Sequence, residues 1–410
     1  MNTLKVATFL VIKSMARGNA RVQLLTIAML ILVYLNLTFT PAILAGAVET
    51  VNDRTINTLT GDIIVQAIGD YPFMGNATYL VSNVVTVDGV AAACARNSLA
   101  ADLQYGGERA NSVFYAIDPD QDKKVFQISK YIVDGSYLDP EDTDQILLGM
   151  QIAGAGRTNL ELYSSSLKSV HAGDRVVVRY VNGVEREYTV KGIVYSELSQ
   201  GDIRTYITKK EFESISPLLQ DKAASIHIKT EEGVKLESVM AAIVPVATEQ
   251  IQDVGTGLRF QTWEMAGGLL KSWTKSFEQI IAIIRATAFV VAAITIFIIT
   301  YVDLSHKRRQ IGIQRAIGIT EASIALSYIL RAIVYAIVGI AAAGLIFNYI
   351  IVPVEARFPF HFPFGDVFLP VDFGALVSSA LILYAVAAIS AFIPTWQTMR
   401  TKIIDAIWAS

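Results

Sequence analysis

The sequence predicts an α-helical membrane protein with four transmembrane helices and a large extracytoplasmic α+β domain inserted between helices 1 and 2. Four apolar runs, at residues 22–50, 280–303, 322–352 and 373–395, each reach the roughly 20 residues a helix needs to cross a hydrocarbon core about 30 Å thick. Between the first two lie residues 51–262, mixed in composition, rich in turns and long enough for one or two domains. Lys and Arg gather beside particular runs: Lys5, Lys13, Arg17 and Arg21 precede the first, Lys307, Arg308, Arg309 and Arg315 follow the second, and Arg400 and Lys402 follow the fourth. Residues 353–372 carry Arg357 against Glu355, Asp366 and Asp372. The positive-inside bias therefore expects a multi-pass membrane protein with both termini and residues 304–321 in the cytoplasm and the large domain outside. A chain 53% hydrophobic and only 17% charged is too apolar for an ordinary soluble globule.

Residues 1–21 space Lys13, Arg17 and Arg21 one turn apart, with Leu4, Ala7, Val11 and Met15 on another face, which reads as an amphipathic helix on the inner membrane surface. The triplet Ala45-Gly46-Ala47 fits a signal-peptide cleavage pattern, but the first run exceeds the ~7–15 residues of a signal core, so it is read as a retained span. In the outer domain, short β-branched and aromatic runs at 61–68, 112–117, 174–181, 185–194, 204–207 and 225–229 predict strands, mainly antiparallel. Asn182-Gly183 between two alternating runs predicts a tight primed turn with both central residues at positive φ. Residues 209–215 and 234–250 read as helices. Cys94 is the single cysteine, so no internal disulfide supports the domain. Residues 263–279 carry Met265, Leu269, Trp273 and Phe277 one turn apart, as a helical stalk leading into the second span would.

The chemistry of a nucleotide or hydrolytic site is missing from the sequence. No P-loop, HExxH, GxSxG or paired-cysteine pattern occurs, and the nearest glycine-lysine stretch, Gly267-Gly268-Leu269-Leu270-Lys271-Ser272, has the wrong spacing. His171, His227, His306 and His361 fall on separate segments, so no metal site is expected. Arg331 stands about ten residues into the third run, where a cation is costly. Either the membrane boundary lies later than drawn or Arg331 faces a partner subunit or polar cleft. Ala336, Gly339, Ala343 and Gly344 permit close backbone approach, within the chain or across a dimer seam.

Residues 304–321 form a cationic, half-apolar segment in which Ile311, Ala316 and Ile319 share a helical face while Lys307, Arg308, Gln314 and Arg315 occupy the rest. The stretch from Lys307 to Gly318, KRRQIGIQRAIG, resembles the K-R-E-I-G-I-L-R-A-L-G signature of the FtsX/MacB-like permeases of ABC transporters, which include the lipoprotein-releasing permeases. Gln310 stands for the usual Glu and Gln314 for Leu. The tail resembles the family's ending at Ile393-Pro394, Arg400 and Ile404-Asp405-Ala406-Ile407, with Trp408 departing from it. Residues 145–153 and 173–177 are similar to its outer-domain stretches, and 262–264 to the segment before its second span.

The resemblance implies a MacB-like outer domain of two parts, 51–130 with 224–260 and an inserted 131–223. It also implies that Lys307, Arg308, Arg309, Ile311, Ile313, Arg315 and Ile317 dock a separate cytoplasmic ABC ATPase dimer, which would bind the ATP and Mg. This chain itself would need no cofactor and catalyse nothing. Its other expected partners are a second permease copy, identical or related, an extracytoplasmic adaptor or lipoprotein, and membrane lipids; no nucleic acid is expected. The implied work is export or extraction of a lipoprotein, lipid, peptide or amphipath. An FtsX-like regulator that activates an extracellular partner such as a cell-wall hydrolase is the alternative.

Overall fold

The computed structural model describes residues 3–17, 20–70, 72–156, 165–249, 256–362 and 364–400. The chain divides into two compact units, one of residues 1–48, 276–360 and 367–410, the other of residues 49–275 and 361–366.

The first unit is helical because its sequence leaves lipid-exposed backbone no other way to satisfy its polar groups. Among the described residues, four helices are long and apolar enough to cross a membrane: Ala20–Thr60, Lys271–His306, Glu321–Arg357 and Phe373–Met399. The first has Ala45-Gly46-Ala47 in its interior. Asp372 caps the fourth, its Oδ1 accepting from the Gly374 amide at 2.8 Å. Small residues let these helices touch. Ala288, Ala292, Ala336, Ala343 and Ala387 are buried around Leu30, Tyr34 and Leu37 of the first span. A Cβ on Gly339 would stand 2.9 Å from Leu30 Cβ, so this glycine seats the third span on the first. Gly344 meets nothing within 4 Å. The N-terminal helix Thr3–Arg17 packs against the third span, burying Ala7 and Val11 and leaving Leu4, Phe9 and Ile12 exposed. Leu4 therefore departs from the face expected to hold it.

The second unit is the α+β domain. Its strands are β1 (Ile63–Gly69), β2 (Val90–Tyr105), β3 (Glu108–Ile117), β4 (Ile132–Gly135), β5 (Gln145–Gly149), β6 (Arg175–Tyr180), β7 (Glu185–Val194), β8 (Arg204–Thr208), β9 (Ser225–Thr230) and β10 (Thr256–Thr262). Strands β10, β1, β9 and the first half of β2 form an antiparallel layer. Helices Ala77–Val85 and Leu236–Glu249 bury Leu80, Val84 and Ile243 against it. The second half of β2 pairs with β3 on one edge and β6 on the other, and β3–β8–β5–β7–β6 closes the ring back to β2. The result is a six-stranded barrel filled by Leu103, Phe114, Leu148, Val178, Tyr180 and Tyr188.

The boundary between the two parts differs from the implied one. Residues 97–117 belong with the inserted barrel, because the sixteen residues of β2 run from one sheet into the other. The turn between β6 and β7 also differs. The Gly183 amide bonds to the Tyr180 carbonyl at 2.9 Å and the Tyr180 amide to the Val184 carbonyl at 2.9 Å, which makes a three-residue loop with positive φ at Gly183 and not at Asn182. The stretch expected to be a stalk helix breaks after Trp263–Ala266 and resumes at Gly268, whose φ is +49°.

His227 on β9 is buried, with Nδ1–H donating to the Thr60 carbonyl at 2.8 Å and Nε2 accepting from the Ser225 hydroxyl at 3.0 Å. Burial first, then the Arg96 guanidinium, hold its pKa down to about 3. The unfolded chain takes up this proton below ~6.5 while the folded chain refuses it until about 3, so stability drains as pH falls through that window. His227→Gln keeps a donor for Thr60 without the titration. The stability gap between wild type and this variant should shrink by ~1.4 kcal/mol per pH unit on acidification from 6.5. Urea unfolding of both proteins at several pH values checks it; a gap independent of pH refutes it.

Candidate functional site

The cationic segment folds into a short helix, Arg308–Ala316, between the second and third spans. Its C-terminus is closed by a Schellman motif. The Ile319 amide bonds to the Gln314 carbonyl at 3.1 Å, the Gly318 amide bonds to the Arg315 carbonyl at 3.1 Å, and Gly318 takes φ +91°. The chain then enters the third span at Thr320, whose hydroxyl pairs with Ser323 Oγ at 2.8 Å. Three cations at the helix N-terminus oppose its dipole. Asp303, one turn earlier, offsets them through an ion pair with Lys307 Nζ at 3.1 Å.

Packing sorts the seven candidate docking residues. Ile311 is 2% exposed and is wedged among Leu304, Ile324 and Met399, so it anchors the helix to the ends of three spans and cannot meet a partner. Lys307 and Arg308 are half-buried, and the Arg315 guanidinium is held by Glu321. Arg309, Ile313 (49% exposed) and Ile317 (72% exposed) remain outward, four residues apart and therefore on one face. The expected Ile311–Ala316–Ile319 face is corrected accordingly: Ile311 and Ile319 turn inward and Ala316 outward. Ile404, Asp405, Ala406, Ile407 and Trp408 lie outside the described residues.

Arg331 is buried and reaches Asp303 of the second span in an ion pair within the chain. Its guanidinium also stands over the Tyr328 ring at 4.8 Å. Asp303 is missing from the sequence reading, although it is the single acid between Glu278 and Glu321 and that isolation was a usable signal. A second span cation was also missed: Arg285, whose buried Nε has no hydrogen-bond partner among the described residues. Ala336, Gly339 and Ala343 pack inward against neighbouring spans.

Two family matches cover most of this architecture. Residues 24–246 match the MacB-like periplasmic core domain and residues 282–403 the FtsX-like permease C-terminal region. The chain belongs to the FtsX/MacB-like permease family of ABC transporters. The permease is thus a membrane protein with an extracytoplasmic domain. No curated protein matches it. Among solved structures it is similar to the extracellular domain of the ABC-type transporter YknZ from Gram-positive bacteria, at 12% identity and TM-score 0.34, covering 48% of this chain and 98% of that one. It is also similar to the periplasmic region of MacB from Actinobacillus actinomycetemcomitans, at 10% identity and TM-score 0.35, covering 53% and 95%.

Proposed function

We propose that this permease is the mechanical subunit of an ATP-driven machine that exports or extracts a lipoprotein, lipid, peptide or amphipath on the outer side of the cytoplasmic membrane. A separate ABC ATPase dimer, holding the ATP and Mg, docks on the helix Arg308–Ala316 of each of two permease copies. The observation that carries this reading is the outward stripe of Arg309, Ile313 and Ile317 on a helix pinned to the spans by Ile311. A basic loop that merely orients the chain has no need of two exposed isoleucines on one face. Supporting it, the helices Ala20–Thr55 and Gly268–His306 have 36 and 39 residues, well beyond a bilayer's requirement, and can pass movement along their length.

Co-purification with a candidate ABC ATPase tests the proposal. Wild type should retain it, and Ile313→Asp combined with Arg309→Glu should lose at least about 90% of it, a tenfold change being ~1.4 kcal/mol. Unchanged retention by a folded double variant would overturn the docking assignment. With docking established, reconstituted vesicles separate transport from the regulatory alternative: ATP-dependent release of a bound amphipath supports transport, and activation of an external hydrolase without release supports regulation.

A further inference from the structure

Within the membrane unit, the end of the spans nearest the cationic helix holds a cavity of about 430 Å³ between the first, second and third spans. Its size lies in the ~300–1,000 Å³ range of small-ligand sites. One wall is aliphatic: Leu25 and Met29 from the first span face it with Ile298 and Val302 from the second, and all four are exposed in the chain itself. The opposite end is polar. Lys307, Arg331, His306 and Gln23 converge there with Asp303. Asp303 pairs with both Lys307 and Arg331, so one carboxylate answers two cations and the site keeps an excess positive charge. Burial holds the Lys307 ammonium below its ordinary range, the condition in which a further anion stabilises it.

We infer that this cavity binds an anionic phospholipid from the leaflet that faces the cationic helix, its phosphate between Lys307 and Arg331 and an acyl chain along Leu25, Met29, Ile298 and Val302. The arrangement matches what such a lipid presents: a negative head continuous with an apolar tail. A soluble anion would leave the aliphatic wall unused. A neutral lipid would leave the excess charge unanswered. The site lies one turn from the start of the helix Arg308–Ala316, so a bound headgroup would also brace that helix. Nothing in this assignment depends on what docks there.

The test uses the full-length permease in detergent. Native mass spectrometry should show phosphatidylglycerol retained in preference to phosphatidylcholine, and glycerol 3-phosphate alone should fail to displace it. Lys307→Gln should weaken phosphatidylglycerol binding about fivefold, the loss expected for one cation near an anionic lipid surface. Met29→Trp, which fills the aliphatic wall, should abolish retention, and it decides the matter should Lys307→Gln fail to fold. Equal retention of the two lipids by wild type overturns the inference, as does displacement by glycerol 3-phosphate or undiminished retention by Met29→Trp.

Discussion

Asp122→Ala is expected to destabilise the outer domain by about 3–5 kcal/mol, because it strands a buried guanidinium. Arg96 sits where β2 leaves β9 and joins β3, with Arg96 facing Ser225 and Asn97 facing Ala116. Both members of the Arg96–Asp122 pair are 1% exposed. Asp122 Oδ1 accepts from Arg96 Nε at 2.9 Å and Nη2 at 2.6 Å, and its Oδ2 accepts from the Tyr137 hydroxyl at 2.9 Å. The guanidinium also lies over the Phe126 ring at 3.6 Å. The carboxylate is presented by the helix Pro119–Val125, which Asp118 caps. Urea unfolding of wild type and variant gives the loss. Replacing both charges, as in Arg96→Met with Asp122→Leu, should recover most of it, because an apolar pair strands no charge. A single-variant loss under about 1 kcal/mol would show that water reaches the pair and that it does not hold the two halves of β2 together.

Arg331→Leu should come second in size. It removes the buried guanidinium that shares Asp303 with Lys307 and stands over the Tyr328 ring, and losing a hydrogen-bonded charged partner costs ~1.5–3 kcal/mol. The expected result is a lower unfolding temperature in detergent and a smaller folded fraction in membranes. Arg331→Leu with Asp303→Leu and Lys307→Met, which strands no charge, should regain most of the loss, whereas Arg331→Lys should regain part of it, since an ammonium keeps the charge but not the planar fork. If Arg331→Leu matches wild type, the pair is solvated and the boundary of the third span lies beyond it. If the triple variant is no better than the single one, Arg331 acts through Tyr328 and Tyr335 and not through Asp303.

Elements that carry their own local signals are legible in the sequence, and elements set by distant contacts are not. The helix Lys209–Ile215 and strand β7 occur at the residues expected, because each carries its own period and its own bounding turn signals. Strand β2, the longest, was invisible. It contains six alanines, residues that favour helix over strand, and much of it is buried on both faces, which erases the alternation. The Asn182-Gly183 hairpin was found but its loop was one residue too short, since local preference names the turn while the pairing of Tyr180 with Val184 sets its length. The Arg96–Asp122 pair joins residues 26 positions apart, and no spacing rule connects them.

The docking helix shows the same division at a single site. Its existence, charge and end were legible, because KRRQ, the isoleucines and Gly318 act within one or two turns of backbone. The spans were legible for a related reason: transfer from water to lipid is a sum over residues that are neighbours in the chain. Which isoleucine anchors and which is offered outward could not be read from that local sum. Ile311 and Ile313 are two residues apart and chemically alike. Contact with Leu304, Ile324 and Met399, brought together from three different helices, buries the first and leaves the second at the surface. The cavity beside Arg331 has the same origin, since its charges and its aliphatic wall come from segments that meet only when the spans pack.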